Sequence, residues 1–392
     1  MDVKNNNKIR MGLIQNTIAP YRIPLFESIA KHPQIDFTLY LMAEERPSYP
    51  QWNKLINELT FRTILVPGLR IRFRSLDQIC INPKLVPVLL RDRPEVLILS
   101  GFSFSNIWGF LYKLLTGRPL IIWSEGTALT ETYRSSIWLR NSIRRIMARF
   151  ADGFVDAGLL SRQYLEGLLP TNQSKPFHRA YNAIDSVKFK QNCLGFKQSG
   201  VAYSEFRKRY PEVNILFSGR LVEIKGIRRM ISVYEKILER SKKPIGLIVL
   251  GQGELKDYLE RTKKEKELNY LFLEGFITAE NYYKYFTVAD LFLLLSEYDC
   301  NPLVIFEALT CGLPIVISDR AGNAQDFIID GKNGYIVDPY DLEDVVAKVI
   351  NVLENKEKDS IRQTSQEIVR KANYDDSAAA FIELSRKLVS NT

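Results

Sequence analysis

Histidine is nearly absent from this 392-residue chain: His32 and His178 are the only two. That is too few for a multi-histidine metal centre. Cysteine is scarce as well. Cys80, Cys193, Cys300 and Cys311 are scattered and form no C-x-x-C pair, so neither a zinc site nor a disulfide framework is expected. Such usage suits a reducing compartment. Long apolar runs are also missing. The stretch Val96–Tyr112 comes nearest to spanning length, but Ser100-Gly101-Phe102-Ser103-Phe104-Ser105-Asn106 interrupts it as the loop between a buried strand and a helix. The first residues, Met1-Asp-Val-Lys-Asn-Asn-Asn-Lys, have no apolar core and do not read as a signal peptide. The expected location is therefore the cytoplasm, free or on the cytoplasmic face of a membrane. No internal repeat points to a solenoid, and no helix-turn-helix, RNP-like or zinc pattern points to nucleic acid.

What is present is ordinary for a globular protein: 46% hydrophobic and 25% charged residues, which excludes disorder and leaves room for two domains with separate cores. The net charge of +9 is unevenly spread. Residues 1–200 hold 27 Lys and Arg against 15 Asp and Glu, whereas residues 201–392 hold 27 against 30. The first half is thus expected to face something anionic. Arg70, Arg72 and Arg74 alternate with apolar residues. Arg140, Arg144, Arg145 and Arg149 follow helical spacing among Ile137, Trp138, Leu139, Ile143, Ile146, Met147 and Phe150. The second group predicts a basic amphipathic helix, suited to an anionic membrane surface or simply to a solvated face.

Short apolar runs alternate with helical periodicity in both halves, the pattern of parallel sheets with crossover helices. Strands are predicted at Met11-Gly-Leu-Ile-Gln, Phe37-Thr-Leu-Tyr-Leu-Met, Val96-Leu-Ile-Leu, Leu120-Ile-Ile-Trp and Gly153-Phe-Val-Asp-Ala. In the second half they fall at Asn214-Ile-Leu-Phe-Ser, Leu247-Ile-Val-Leu, Leu271-Phe-Leu, Leu291-Phe-Leu-Leu-Leu, Ile315-Val-Ile and Gly334-Tyr-Ile-Val. Residues 190–211 lose periodicity and read as the connection. The predicted domains are 1–195 and 196–375, with a helix over 376–392 packing back toward the first domain. In doubly wound sheets ligands bind beyond the carboxyl ends of the strands.

Three loops of the second half carry the chemistry. In Phe217-Ser218-Gly219-Arg220-Leu-Val-Glu-Ile-Lys225-Gly226, Gly219 allows close backbone approach and Arg220 with Lys225 offers two cations to a phosphate. Leu250-Gly251-Gln252-Gly253-Glu254 reads as a tight turn or a phosphate cradle. In Ser296 through Pro314, Asn301 is expected to cap a helix, Pro302 to open it and Gly312 to end it. The first-turn N–H groups, those of Leu303 and Val304 among them, would then face a pyrophosphate or a sugar hydroxyl. Glu307, among apolar neighbours, needs a hydrogen-bond partner, either a ligand's vicinal hydroxyls or a donor within the protein.

These segments together resemble the family-four retaining glycosyltransferases. The residues that carry the resemblance are Ser-Gly-Arg220…Lys225-Gly, Gly251-Gln-Gly253, Phe272-Leu-Glu-Gly275-Phe276, Ser296 through Gly312, and Asp330-Gly331-Lys-Asn-Gly334-Tyr. Tyr181-Asn182-Ala183-Ile184-Asp185…Phe189 adds to them. The resemblance implies an α/β protein of the GT-B fold, two doubly wound Rossmann-like domains facing each other across a cleft. The first would bind acceptor and the second a nucleotide-sugar donor. It implies that Arg220 and Lys225 neutralise the donor diphosphate, that Glu307 binds the ribose, and that the backbone around Phe276 meets the base. Asn301 through Val304, with Gly219, Gly251 and Gly253, would line the donor. Asp299 stands where relatives carry a Glu and would contact the donor sugar from one methylene farther back. After the strand at Leu120–Trp123 the chain has Ser124-Glu125-Gly126 where many relatives have a histidine. Glu125 either takes part of that role or is structural. Tyr21 and Arg22, in a loop without the family's double glycine, are candidates for the acceptor.

The implied activity is transfer of a sugar from a UDP- or GDP-linked donor to an acceptor hydroxyl with retention, with no cofactor and no metal. The expected acceptor is a saccharide or lipid-linked saccharide of cell-surface polysaccharide synthesis. The alternative is a non-catalytic nucleotide-sugar-binding or membrane adaptor protein on the same scaffold.

Overall fold

The computed structural model describes residues 8–44, 58–73, 76–134, 138–355 and 358–391. The chain forms two compact units, residues 1–182 with 372–392, and residues 183–371.

In the first unit the strands are β1 (Ile9–Gln15), β2 (Ile35–Leu41), β3 (Thr63–Leu65), β4 (Leu69–Phe73), β5 (Leu76–Ile81), β6 (Val96–Ser100), β7 (Leu120–Ser124), β8 (Gly153–Asp156) and β9 (Phe177–Arg179). Seven of them make a parallel sheet in the order β3-β2-β1-β6-β7-β8-β9, and β4 with β5 forms a separate antiparallel hairpin. Val96–Ser100 and Leu120–Ser124 read as unbroken apolar runs because both faces of the sheet are covered. One face packs on helix Ile23–Lys31 and on helix Tyr374–Ser390, which sets Phe381 5.2 Å from Trp123. Each such fully buried aromatic contributes about 2 kcal/mol. The other face is covered by helices Leu85–Asp92, Asn106–Thr116 and Trp138–Phe150. No described helix is long and apolar enough to cross a membrane.

In the second unit the strands are β10 (Val213–Ser218), β11 (Ile245–Leu250), β12 (Leu271–Gly275), β13 (Leu291–Leu294), β14 (Ile315–Ser318) and β15 (Gly334–Val337). Their order is β12-β11-β10-β13-β14-β15, all parallel. The winding reverses between β10 and β13, where loops leave neighbouring strands in opposite directions and open a crevice.

Three expectations need correction. The predicted connection, residues 190–211, is largely helical: Ser186–Gln198 and Val201–Arg207 pack within the second unit. Asp185 caps the first of these by accepting from the Lys188 N–H at 2.9 Å. The division between units therefore lies at 182/183 instead of 195/196, and the chain returns to the first unit at 372 instead of 376. Of the arginines at 70–74, Arg70 and Arg72 belong to strand β4, with Arg70 opposite Cys80 in the hairpin, and Arg74 lies outside the described residues. Finally, Arg144 is not on the solvent face of its helix. It is buried and ion-paired with Glu131, because its position in the helical repeat turns it toward helix Ala128–Arg134. It is unavailable to a lipid surface.

Candidate functional site

At the carboxyl ends of β10, β11 and β13 three loops are locked backbone to backbone. Gly219 N–H donates to Leu250 O at 3.0 Å, Leu221 N–H to Gln252 O at 2.9 Å, and Glu297 N–H to Ile224 O at 2.8 Å. The glycines explain the closeness. A Cβ on Gly251, whose φ is 135°, would lie 1.9 Å from Gly219 O, and one on Gly253 would lie 2.3 Å from Leu221 O. Gly251 and Gly253 thus serve to seat the 219–221 loop. Gly219 differs: a Cβ there would meet only the Phe217 ring, at 3.4 Å.

The Glu297–Ile224 bond aligns the loops so that Lys225 and Asp299 form an ion pair, both side chains mostly sheltered. Arg220, five positions earlier on the same loop as Lys225, is exposed. Asp299 also accepts from the Asn301 N–H at 3.3 Å. The predicted cap is not made: helix Val304–Thr310 starts two residues after Pro302, and no side chain caps it. Asn301 instead accepts from Asn323 Nδ2 at 2.7 Å, which draws Asn301 and Pro302 out of helical geometry and onto the loop after β14. Gly312 ends the helix with φ 75°.

Glu307 has a protein donor. Tyr282 Oη donates to its Oε2 at 2.8 Å and is itself 2.8 Å from Ser218 Oγ. Burial raises the Glu307 carboxyl to about 7, with the Tyr282 bond opposing that rise. The same burial holds the Tyr282 phenol well above its ordinary value, so Tyr282 stays protonated. Part of the Glu307 side chain remains open. Tyr282 was not singled out from the sequence. It stands in the aromatic run Tyr282, Tyr283, Tyr285, Phe286 of helix Ala279–Phe286, whose rings also pack on one another and on Phe189, Phe196 and Phe206, so the run alone does not mark it out. On the rim, Phe276 is 63% exposed directly after Gly275, whose φ is 72°. The structure thus joins Lys225, Asp299 and Asn301 in one contact set, and joins Glu307 through Tyr282 to Ser218, the neighbour of Gly219, in another. These loops and helices offer two cations, a sheltered carboxyl near its titration point and an exposed ring.

In the first unit a second cluster lies at the carboxyl ends of β1 and β7. Arg22 pairs with Glu125, and its guanidinium sits 4.3 Å from the Trp123 ring centroid and 5.7 Å from that of Tyr21. The three residues Tyr21, Arg22 and Glu125 are therefore neighbours, and the Glu125 carboxylate is already engaged by Arg22. Among the described residues no group of His, Cys, Asp and Glu could hold a metal ion.

Residues 204–370 match the family described as glycosyl transferases group 1. An uncharacterized glycosyltransferase, MJ1607, of Methanocaldococcus jannaschii is 31% identical over 44% of this chain and 44% of its own. The chain thus spans less than half of that curated relative. The N-acetyl-alpha-D-glucosaminyl L-malate synthase of Bacillus anthracis is 27% identical over 78% of this chain and 77% of its own. Among solved structures, Anabaena HepE in complex with UDP superposes with a TM-score of 0.72 at 17% identity, covering 97% of this chain and all of the other. That likeness establishes the fold, two Rossmann-like units of the GT-B class.

Proposed function

The second unit being a glycosyl transferases group 1 domain, we propose that the protein transfers a sugar, with retention, from a nucleoside-diphosphate sugar bound at this crevice to an acceptor hydroxyl. The observation that carries the proposal is the Lys225–Asp299 pair between the loops after β10 and β13, together with the Tyr282–Glu307 pair between two helices, joined through Tyr282 to Ser218 at the end of β10, where the sheet order reverses. Lys225 and Arg220 stabilise the diphosphate, whose charge grows as the glycosidic bond to phosphate breaks. Donor binding releases Lys225 from Asp299 and frees that carboxylate to accept from the sugar hydroxyls. Ionised Glu307 accepts from the two ribose hydroxyls, the Phe276 segment meets the base, and Asn301 through Val304 border the sugar and phosphates. The leaving phosphate takes the acceptor proton as the new bond forms on the same face. With cations at the leaving group, no metal is required.

Tyr21, Arg22 and Glu125 border the acceptor in the first unit. The positive first half favours a lipid-linked saccharide at an anionic membrane face, in synthesis of a surface polysaccharide, with Arg140, Arg145 and Arg149 toward the lipid. UDP is the first donor nucleotide to test, since a protein of the same fold is solved with it.

The test is thermal stabilisation by UDP, GDP and ADP in the presence of EDTA. A ligand at about 1,000 times its Kd adds about 4 kcal/mol to the folded state, so micromolar binding is visible at millimolar ligand. A shift by one nucleotide, lost in Glu307→Ala, is expected. No shift with any nucleotide would overturn the donor site, and an inverted anomer in the product would overturn retention.

A further inference from the structure

Helix Asn106–Thr116, sequence NIWGFLYKLLT, has no polar face. Its inner side packs Gly109, Phe110 and Tyr112 on the sheet, as a surface helix should. Its outer side shows Leu111, Leu114 and Leu115, the last 61% exposed. A surface helix normally turns charge outward, so this face is built for something other than water.

The patch does not stop at one helix. Phe110 meets Phe150 of helix Trp138–Phe150 edge to face, with 6.0 Å between ring centroids. Lys113 Nζ lies 2.7 Å from Asp152 Oδ2, tying the ends of the two helices together. Ile146 and Phe150, one turn apart and both half exposed, extend the apolar surface across that seam.

Charge identifies the occupant. Neither helix contains an acidic residue within its span. Arg145 and Arg149 are exposed next to Ile146 and Phe150 in the second helix, and Arg118 follows the end of the first. Among the described residues none of these three is ion-paired with an acid. A second copy of the chain docking here about a two-fold axis would press these cations against their own counterparts, with no carboxylate on either helix to meet them. An anionic bilayer supplies both an apolar layer and negative headgroups.

We infer that the faces of helices Asn106–Thr116 and Trp138–Phe150 form a monotopic lipid-docking surface, with Leu111, Leu114, Leu115, Ile146 and Phe150 entering the acyl boundary and Arg118, Arg145 and Arg149 binding acidic headgroups. The inference rests on the membrane-surface part of the proposed function and replaces a purely electrostatic contact with insertion. It is independent of donor chemistry in the second unit.

The experiment is co-sedimentation of the full chain with vesicles of phosphatidylcholine alone and of phosphatidylcholine mixed with phosphatidylglycerol. Wild-type protein is expected to bind the mixed vesicles preferentially. The double variant Leu114→Ser, Leu115→Ser should weaken that binding about tenfold or more by removing apolar insertion. Arg145→Glu with Arg149→Glu should weaken it by at least about tenfold. Because these side chains are exposed, melting temperatures and nucleotide-induced shifts should stay at wild-type values. Ile146→Ser provides a second apolar probe. Binding by the wild type that the leucine and Ile146 variants leave unchanged would overturn this surface while sparing the membrane reading. No binding to mixed vesicles would overturn both. A concentration-dependent dimer abolished by the leucine variant, without vesicle binding, would assign the face to a second copy and overturn the inference.

Discussion

Replacing Tyr282 with Phe removes one hydroxyl from the crevice and little volume. Its Oη donates the 2.8 Å bond to Glu307 Oε2, and that bond opposes the burial that raises the carboxyl to about 7. With that value about three quarters of the protein carries ionised Glu307 near pH 7.5. A hydrogen bond to a charged acceptor contributes about 1.5–3 kcal/mol, so its loss moves the Glu307 titration upward by about 1–2 pH units. The ionised fraction near pH 7.5 then falls to between about a quarter and about a thirtieth. If ionised Glu307 accepts from the ribose, nucleotide affinity of Tyr282→Phe near pH 7.5 drops about 3- to 25-fold and recovers to within about twofold near pH 9.5. Isothermal titration with UDP across this range checks the outcome. A uniform loss at every pH would mean that Tyr282 acts only through packing. Superimposable wild-type and variant curves would refute the role of Glu307 in ribose binding.

Glu307→Gln isolates the cost of the same carboxyl to folding. Its titration is raised from 4.5 to about 7 in the folded protein, so the folded state keeps a proton that the unfolded chain releases, and stability falls as pH rises through that window. Discounted for partial exposure, the glutamine variant should be about 2 kcal/mol more stable than wild type near pH 8 and equal to it near pH 4 by denaturant unfolding. Gly226→Ala should destabilise by more than about 3 kcal/mol, because its φ is 69° and a Cβ would lie 1.9 Å from Leu295 O. A melting temperature within experimental error of wild type would contradict that geometry. Arg144→Ala should cost about 3 kcal/mol by leaving Glu131 unpaired in a sheltered site, whereas Arg145→Ala should change stability by less than about 0.5 kcal/mol. Equal melting temperatures for the two variants would show that the burial of Arg144 is misassigned.

The parallel sheets were legible because buried strands such as Ile245–Leu250 leave short unbroken apolar runs, rich in β-branched residues and closed by glycine. The hairpin Leu69–Ile81 was not, since its alternating arginines read equally well as a basic cluster. Lys225 and Asp299 could be named from the chain, but their pairing depends on a backbone bond between residues 224 and 297 that no local pattern encodes. Tyr282 escaped notice for a similar reason: its partner Glu307 lies 25 positions away on a different helix. Asn301 followed the rules for a helix cap until a distant side chain, Asn323, claimed it. Composition along the helix Trp138–Phe150 cannot say which arginine turns inward; Arg144 does so because Glu131 waits there.

The last helix, Tyr374–Ser390, supplies Phe381 and Leu384 to the core of the first unit, where Phe381 meets Trp123 and a Cβ on Gly153 would already crowd Leu384 at 3.1 Å. During synthesis the ribosome therefore releases the whole of 183–371 before the first unit receives its final layer. The second unit is free to close while the first still shows Trp123 and Val155 of its sheet, and Phe26 of the helix beside them, without their last covering layer. The order of completion along this polypeptide is reversed relative to the order of translation. The nascent first unit is the half of the protein that a chaperone would have to hold.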